Sequence, residues 1–404
     1  MEEHLRKRFH SRKTKPSLSI VFDVLYDCNM QCRGCSVSPR FLMTTAPIPK
    51  QMLRPPTEKL VAILEKIVSY TRRHNVSCYV NFGGGEPFLR SDFDEIVELS
   101  AKFFGVEGVG IDTNGTVDGE AERIERLSPC FSYLGVSLDG LEDYHNWWRG
   151  GQIQGGGFQK TVSLLRELVK SEPVLDKLEV SSVASKRNLE QLPKLMEFLN
   201  GIGIKKYSVH RAMAVGRMES MPELIPTWKE YFQLLVKVVE TANRLDMDAH
   251  LHHSIESIYA TLLLGVETYV SDKVGNPDAG SSLGLEPGGE IVFDPWSMRG
   301  IWKELSGGNL LDINVDLENV LHSSGGGVLD LAKLYTASNV RCHGCSYPCS
   351  GGNRIAAASQ HLIKRYGHLT PPKVAVSHLL QALTEIDPAC PLWETGPWQP
   401  GKKG

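Results

Sequence analysis

The chain has 404 residues, 41% hydrophobic and 23% charged, which suits a globular protein of roughly two or three domains. Lys plus Arg total 44 against 47 Asp plus Glu, a net of −3, so no overall positive field favours nucleic acid. No apolar run reaches the ~18 residues of a membrane helix, and the basic start (Arg6, Lys7, Arg8, Arg12, Lys13, Lys15) has no apolar stretch behind it, so a secretory signal is excluded and a cytoplasmic protein is expected.

Residues 1–17 read as a solvated basic tail. Ser19 to Tyr26 is apolar and β-branched, as in a buried parallel strand. Thr57 is placed to cap a helix whose Leu60, Ile63, Leu64 and Ile67 share one face. A strand over Ser77 to Phe82 and a helix from Asp92 that stops before Gly105 come next. Val109–Asp112, Tyr133–Leu138, Leu178–Ala184 and Lys205–His210 read as further strands, with helices over 120–128, 158–170 and 189–200, the last closed by Gly201. Such βα units in series over 18–217 predict an α/β fold, a parallel sheet curled into a partial (β/α)6 TIM-like barrel.

Residues 218–274 then read as a helical bridge, with one long helix over Thr227–Leu245 and another over 254–265. From Gly275 to the end, glycine and proline become frequent, and a segment of that composition folds best around a metal site. There is no internal repeat.

The chain has nine cysteines, an odd number that a reducing compartment would not pair as disulfides. Cys28, Cys32 and Cys35 form one group and Cys342, Cys345 and Cys349 another, with Cys390 further on; Cys78 and Cys130 fall in segments that read as core. Cys28-Asn-Met-Gln-Cys32-Arg-Gly-Cys35 follows the first strand, where three thiolates can wrap one face of a [4Fe–4S] cube. A zinc knuckle is the alternative on spacing alone. Gly84-Gly85-Glu86-Pro87 follows the second strand, at the barrel end where active sites are built; the glycines would let the backbone approach a ligand and Glu86 adds an acceptor.

Together, CxxxCxxC and GGEP resemble the radical S-adenosylmethionine (SAM) superfamily over residues 18–215. Thr113-Asn114-Gly115 and Val136-Ser137-Leu138-Asp139-Gly140 follow the third and fourth strands in the same order as in that family, and the stretch ending Arg149-Gly150 resembles its HDxxRG segment with Asn146 in the aspartate's place. The resemblance implies that Cys28, Cys32 and Cys35 ligate a [4Fe–4S] cluster, that Gly84, Gly85, Glu86, Pro87 and Asn114 line the SAM site, and that Ser137 and Arg149 hold the methionyl carboxylate, a role suited to the two-pronged guanidinium. Gly34 stands where relatives carry an aromatic residue against the adenine, so that contact must come from elsewhere.

Cys342-His-Gly-Cys345-Ser-Tyr-Pro-Cys349, with Asp387-Pro-Ala-Cys390-Pro, resembles the SPASM or twitch extension of the same superfamily. Matched position by position, these four cysteines imply one auxiliary [4Fe–4S] cluster, while Pro277, Asp294 and Asn353 occupy places where an inner cluster would have cysteines. Zinc competes at the four cysteines. Cys390 is alternatively a free thiol donating a hydrogen atom, and Asp294, His210 and Arg211 are candidate substrate contacts. His252-His253 reads as surface, and Trp147-Trp148 either covers the mouth of the site or packs a loop.

The resemblance implies reductive cleavage of SAM to a 5′-deoxyadenosyl radical, fed by an electron donor such as flavodoxin or ferredoxin, with hydrogen abstraction from a C–H bond. A small secondary metabolite of sugar, aminoglycoside or nucleoside type is the leading substrate, undergoing epimerisation, dehydrogenation or decarboxylation. The alternative is a peptide matured by thioether or other crosslinks; many peptide maturases of the family carry an N-terminal leader-binding domain, and here the first strand begins near residue 18.

Overall fold

A computed structural model of the chain describes residues 17–37, 53–150, 157–251, 282–292 and 307–322. The expectations placed on Pro277, Asp294, Cys342, Cys345, Cys349, Asn353, Cys390, His252-His253 and the helix over 254–265 lie outside the described residues.

The sheet begins with β1 (Ser17–Asp23) and β2 (Ser77–Gly83), joined by α1 (Thr57–His74). β3 (Val109–Thr113), β4 (Tyr133–Ser137), β5 (Leu178–Ala184) and β6 (Lys206–Arg211) follow, each parallel to its neighbour. The helices between them are α2 (Phe93–Phe104), α3 (Glu120–Leu127), α4 (Glu142–Arg149), α5 (Gly157–Leu168) and α6 (Leu192–Gly201). The chain continues through α7 (Trp228–Leu245) into β7 (Asp248–Leu251), which pairs parallel to β6.

The sheet extends past the six predicted strands at both edges. β8 (Ser282–Leu285) adds parallel to β1, and β9 (Glu290–Val292) and β10 (Gly308–Asn309) follow antiparallel. The order β10-β9-β8-β1-β2-β3-β4-β5-β6-β7 has β10 and β7 at its ends, so the barrel is unclosed among the described strands. Sequence-remote pairing of β8 with β1 could not be read locally, because short strands near glycines carry little periodicity.

Every second residue of the strands enters the core between sheet and helices: Ile20, Phe22, Val80, Phe82, Ile111, Leu134, Val136, Val180 and Val209 are fully buried there. α1 buries Leu60, Ile63, Leu64 and Ile67 as its spacing predicts. Its cap is Pro56 rather than Thr57, however; Thr57 is the first helical residue and its hydroxyl turns to Asp92. Thr227 does cap α7, in a reciprocal box with Glu230. Residues 142–149, to which the sequence assigns no element, form the helix α4, which buries Tyr144, His145 and Trp148 and stops at Gly150 with φ +50°.

Candidate active site

The loops after β1 to β4 meet at the C-terminal edge of the sheet. Gly85 N donates to Leu25 O (2.8 Å) and Glu86 N to Asp27 O (2.9 Å), so the GGEP loop lies along the segment that leads into Cys28. The glycines make this approach possible: a Cβ at Gly84, where φ is +110°, would sit 2.3 Å from Leu25 O, and one at Gly85 would sit 1.9 Å from Asp27 O. Their smallness is therefore used for packing one loop on another, in addition to any approach by a ligand. Pro87 then starts a buried turn, Pro87–Leu89.

Glu86 is fully buried. Its Oε1 accepts from Phe88 N (3.1 Å) and its Oε2 from Asn114 N (2.7 Å). The acceptor expected to face a ligand thus fastens the loop after β2 to the loop after β3. Asn114 continues the chain of contacts, donating from Nδ2 to Asn29 Oδ1 (2.8 Å) and to Cys28 Sγ (3.9 Å), while Asn29 Nδ2 donates to Thr116 Oγ1.

The cysteine loop is held by Trp148 and Arg217 and by a contact of its own. Arg33 N donates to Trp148 O at 2.7 Å. Arg217 N donates to Cys35 O at 3.0 Å and Arg217 Nη1 to Cys32 O at 2.6 Å. Met30 N donates to Cys28 Sγ at 3.4 Å. Burial pushes the Cys28 thiol up to about 12 and the Cys32 thiol up to about 11, and the negative charges of the neighbouring cysteines add to this. Such thiols ionise only when a cation is brought to them, which is what ligation does. Among the described residues no three His, Cys, Asp or Glu side chains close on a single metal ion. Clustered cysteines with N–H donors aimed at a sulfur fit an iron–sulfur group.

Arg149 enters from the end of α4. Its Nε donates to Asp139 Oδ2 at 2.6 Å, and among the described residues that is its only hydrogen bond. Asp139 is a hub: its Oδ1 accepts from Val183 N (2.7 Å), its carbonyl from Asn188 Nδ2 (2.8 Å), and its N–H points to His145 Nδ1 (3.3 Å). Burial, then the Arg149 charge, lowers His145 to about 4, so the imidazole is neutral. Ser137 ends β4 half-buried, beside Ser181 in the sheet register.

Gly34 and Trp148 answer the missing aromatic. A Cβ at Gly34 would lie 2.3 Å from Trp148 Cζ2, so the buried indole fills the space that a side chain at position 34 would take. Trp147 lies between the guanidiniums of Arg33 and Arg187, 4.8 and 4.0 Å from its ring. At the end of β6, Arg211 Nε and Nη2 both donate to Pro226 O (3.0 and 2.8 Å), which ties the strand to the start of α7; His210 stays half-buried beside it. Sequence reading gave no role to Arg217, Thr113, Glu120 or His145: the partners of Arg217 meet it only through the fold, and the burial of His145 and Glu120 on short helices is not visible until their depth is known.

Residues 24–199 match the Radical SAM superfamily, and that part of the chain is a radical SAM domain. The family brings SAM and a [4Fe–4S] cluster as its cofactors, which the cysteine loop fits. The chain is 25% identical to Fe-coproporphyrin III synthase of Methanosarcina barkeri over 58% of its length and 53% of that protein. It is 26% identical to mycofactocin maturase MftC of Mycolicibacterium smegmatis (59% and 56%) and 23% identical to PqqA peptide cyclase of Bradyrhizobium diazoefficiens (60% and 59%). The chain thus spans a little over half the length of these curated relatives. Among solved structures, anSMEcpe with bound AdoMet superposes with a TM-score of 0.65 at 17% identity, covering 90% of this chain and 95% of that one. Streptococcus suis SuiB bound to precursor peptide SuiA gives 0.59 at 16%, covering 90% and 76%. These two likenesses show the fold. No helix among the described residues is long and apolar enough to cross a membrane.

Proposed function

We propose that the chain is a radical SAM enzyme that matures a peptide. The observation that carries this is the similarity to MftC and PqqA peptide cyclase over more than half of the chain. The small-metabolite reading that the sequence favoured is second to it; the similarity to Fe-coproporphyrin III synthase keeps a non-peptide substrate as the competitor.

When bound, the cluster and SAM supply a radical that takes hydrogen from a C–H bond. This chain's residues would do the rest. Cys28, Cys32 and Cys35 would ligate the cluster, and the Gly84–Pro87 loop with Asn114 would form the floor of the SAM site. Arg149, its Nε anchored on Asp139, would turn its Nη edge to the methionyl carboxylate, with Ser137 beside it. The inner face of the half-barrel, where Asn81 donates to Asp112 and Tyr133 to Glu179, would meet the substrate, and His210 would touch it at the rim. Arg211 would shape that rim through Pro226.

Cys342, Cys345, Cys349 and Cys390 would hold an auxiliary cluster, with Asp294 as a substrate or proton-accepting carboxylate. Triple replacement of Cys28, Cys32 and Cys35 by alanine should then leave about four irons of the about eight that two cubes supply. For the substrate, the test is anaerobic turnover with deuterated peptides encoded beside the gene and with deuterated small molecules. Deuterium in 5′-deoxyadenosine and a mass change in a peptide are expected; transfer from a small molecule alone would overturn the peptide reading.

A further inference from the structure

Thr113 joins two buried carboxyl groups with a single hydroxyl. Its Oγ1 lies 3.0 Å from Glu86 Oε1 and 2.5 Å from Glu120 Oε1, and it also accepts from Gly115 N at 3.0 Å. A hydroxyl has one hydrogen to give. It can serve one carboxylate as donor; the other oxygen must then bring its own proton, or two anionic oxygens share an interior site with nothing between them. Glu86 and Glu120 are 0% and 1% exposed, so water does not resolve the conflict.

The remaining donors decide which group is the acid. Glu86 accepts two backbone N–H groups, from Phe88 and Asn114, while Glu120 accepts one, from Val117 N at 3.1 Å on Oε2. Negative charge is therefore better supported on Glu86, and Glu120 Oε1, whose only partner among the described residues is Thr113, is the place for the proton. We infer that Glu120 is a neutral carboxylic acid that donates to Thr113, directs the Thr113 hydroxyl at Glu86, and so acts as a positioning residue for the Gly84–Pro87 loop and the cysteine loop beyond it. The line of contacts runs from Glu120 through Thr113 and Glu86 to Asn114 and on to Cys28 Sγ.

The charges around the pair agree. Burial first, then the Glu86 charge, pushes Glu120 up to about 8, and burial raises Glu86 to about 7. Arg123 faces Glu120 one turn along α3, but its guanidinium donates to Phe88 O, Arg90 O and Asp94. Arg149 faces Glu86 and favours the anion there.

The experiment compares Glu120→Gln and Glu120→Ala with the wild-type chain. Gln reproduces the neutral acid: its Oε1 can accept from Val117 N and its Nε2 can donate to Thr113. Because the folded value lies above the ordinary 4.5, the wild type is penalised as pH rises from 4.5 to about 8, and the Gln variant is not. The thermal midpoints should nearly coincide at pH 5, and that of Glu120→Gln should lie above the wild type at pH 8. The infrared difference spectrum at pH 7 should show one protonated carboxyl band lost in Glu120→Gln; Glu219, also raised to about 8 by burial, is common to both and cancels. In the reconstituted protein Glu120→Ala should weaken SAM binding by about tenfold, the cost of one buried hydrogen bond, and Glu120→Gln should recover it. A Gln variant that melts below the wild type equally at both pH values, or an unchanged carboxyl band, overturns the neutral acid. Unchanged SAM affinity in Glu120→Ala, or failure of Gln to recover a loss, overturns the positioning role.

Discussion

Arg149 Nε donates to Asp139 Oδ2 at 2.6 Å, with the carboxylate fully buried and the arginine side chain 15% exposed. The pair joins the start of the α4 segment to its end, and Asp139 is fixed in turn by Val183 N, so the guanidinium plane is set before any ligand arrives. Asp139→Ala should cost about 3–5 kcal/mol in chemical denaturation, because it strands a buried charge. Arg149→Ala should weaken SAM binding by ~2 kcal/mol, on the order of thirtyfold, when measured by calorimetry on the reconstituted protein. Unchanged affinity would show that the Nη edge does not hold the ligand.

His145 makes the site sensitive to acid. Its ring is fully buried, its Nδ1 takes the Asp139 N–H, and its Nε2 has no partner among the described residues. Burial lowers it to about 4 from an ordinary 6.5, so the unfolded chain binds a proton that the folded one refuses between those values. This contribution is complete above pH 6.5 and is lost as pH falls through 6.5 to 4, at most roughly 3 kcal/mol. His145→Gln should flatten that part of the stability profile. An equal slope in both proteins would mean that other groups set the acid response.

Much of this was legible beforehand, for identifiable reasons. The strands β2 to β6 are short runs with apolar residues, set between helices and turns, and their predicted ends fall within a residue or two of the observed ones. CxxxCxxC and GGEP are compact enough in sequence to be read together. α4 is not legible in the same way, because its eight residues between Leu141 and Gly150 are too few for a clear helical period. Asp139 stood in a quoted motif, yet its role as a hub depends on Asn188 and Val183, which only folding brings near. Arg217 meets Cys32 across a separation of 185 residues, a contact that no local pattern encodes.

Gly34 and Trp148 should behave as one unit. Gly34→Ala drives a methyl group into the indole, whose Cζ2 and Cη2 lie 2.3 and 2.6 Å from the new Cβ. Overpacking of this kind costs about 1–3 kcal/mol. Trp148→Ala alone should also destabilise, by about 3–5 kcal/mol, through the cavity it leaves. In the double variant the Gly34 penalty should vanish, since nothing remains for the methyl to strike. Additive effects in urea denaturation would show that the two residues do not share that space.

Arg217 offers the sharpest separation of cluster assembly from folding. It grips the cysteine loop at two points, its Nη1 donating to Cys32 O and its backbone N–H to Cys35 O. Gly216 allows the close approach: its φ is +58°, and a Cβ there would lie 2.5 Å from Cys35 O. Arg217→Leu keeps an apolar stem but removes the charged donor, a loss of about 1.5–3 kcal/mol to the loop. The sheet and its core lie elsewhere, so far-ultraviolet circular dichroism should be unchanged. Iron retained after anaerobic reconstitution and desalting should fall toward that of the Cys28, Cys32 and Cys35 triple alanine variant, and SAM cleavage should fall with it. Full iron content with full cleavage in Arg217→Leu would show that the cysteine loop holds its shape without this clamp.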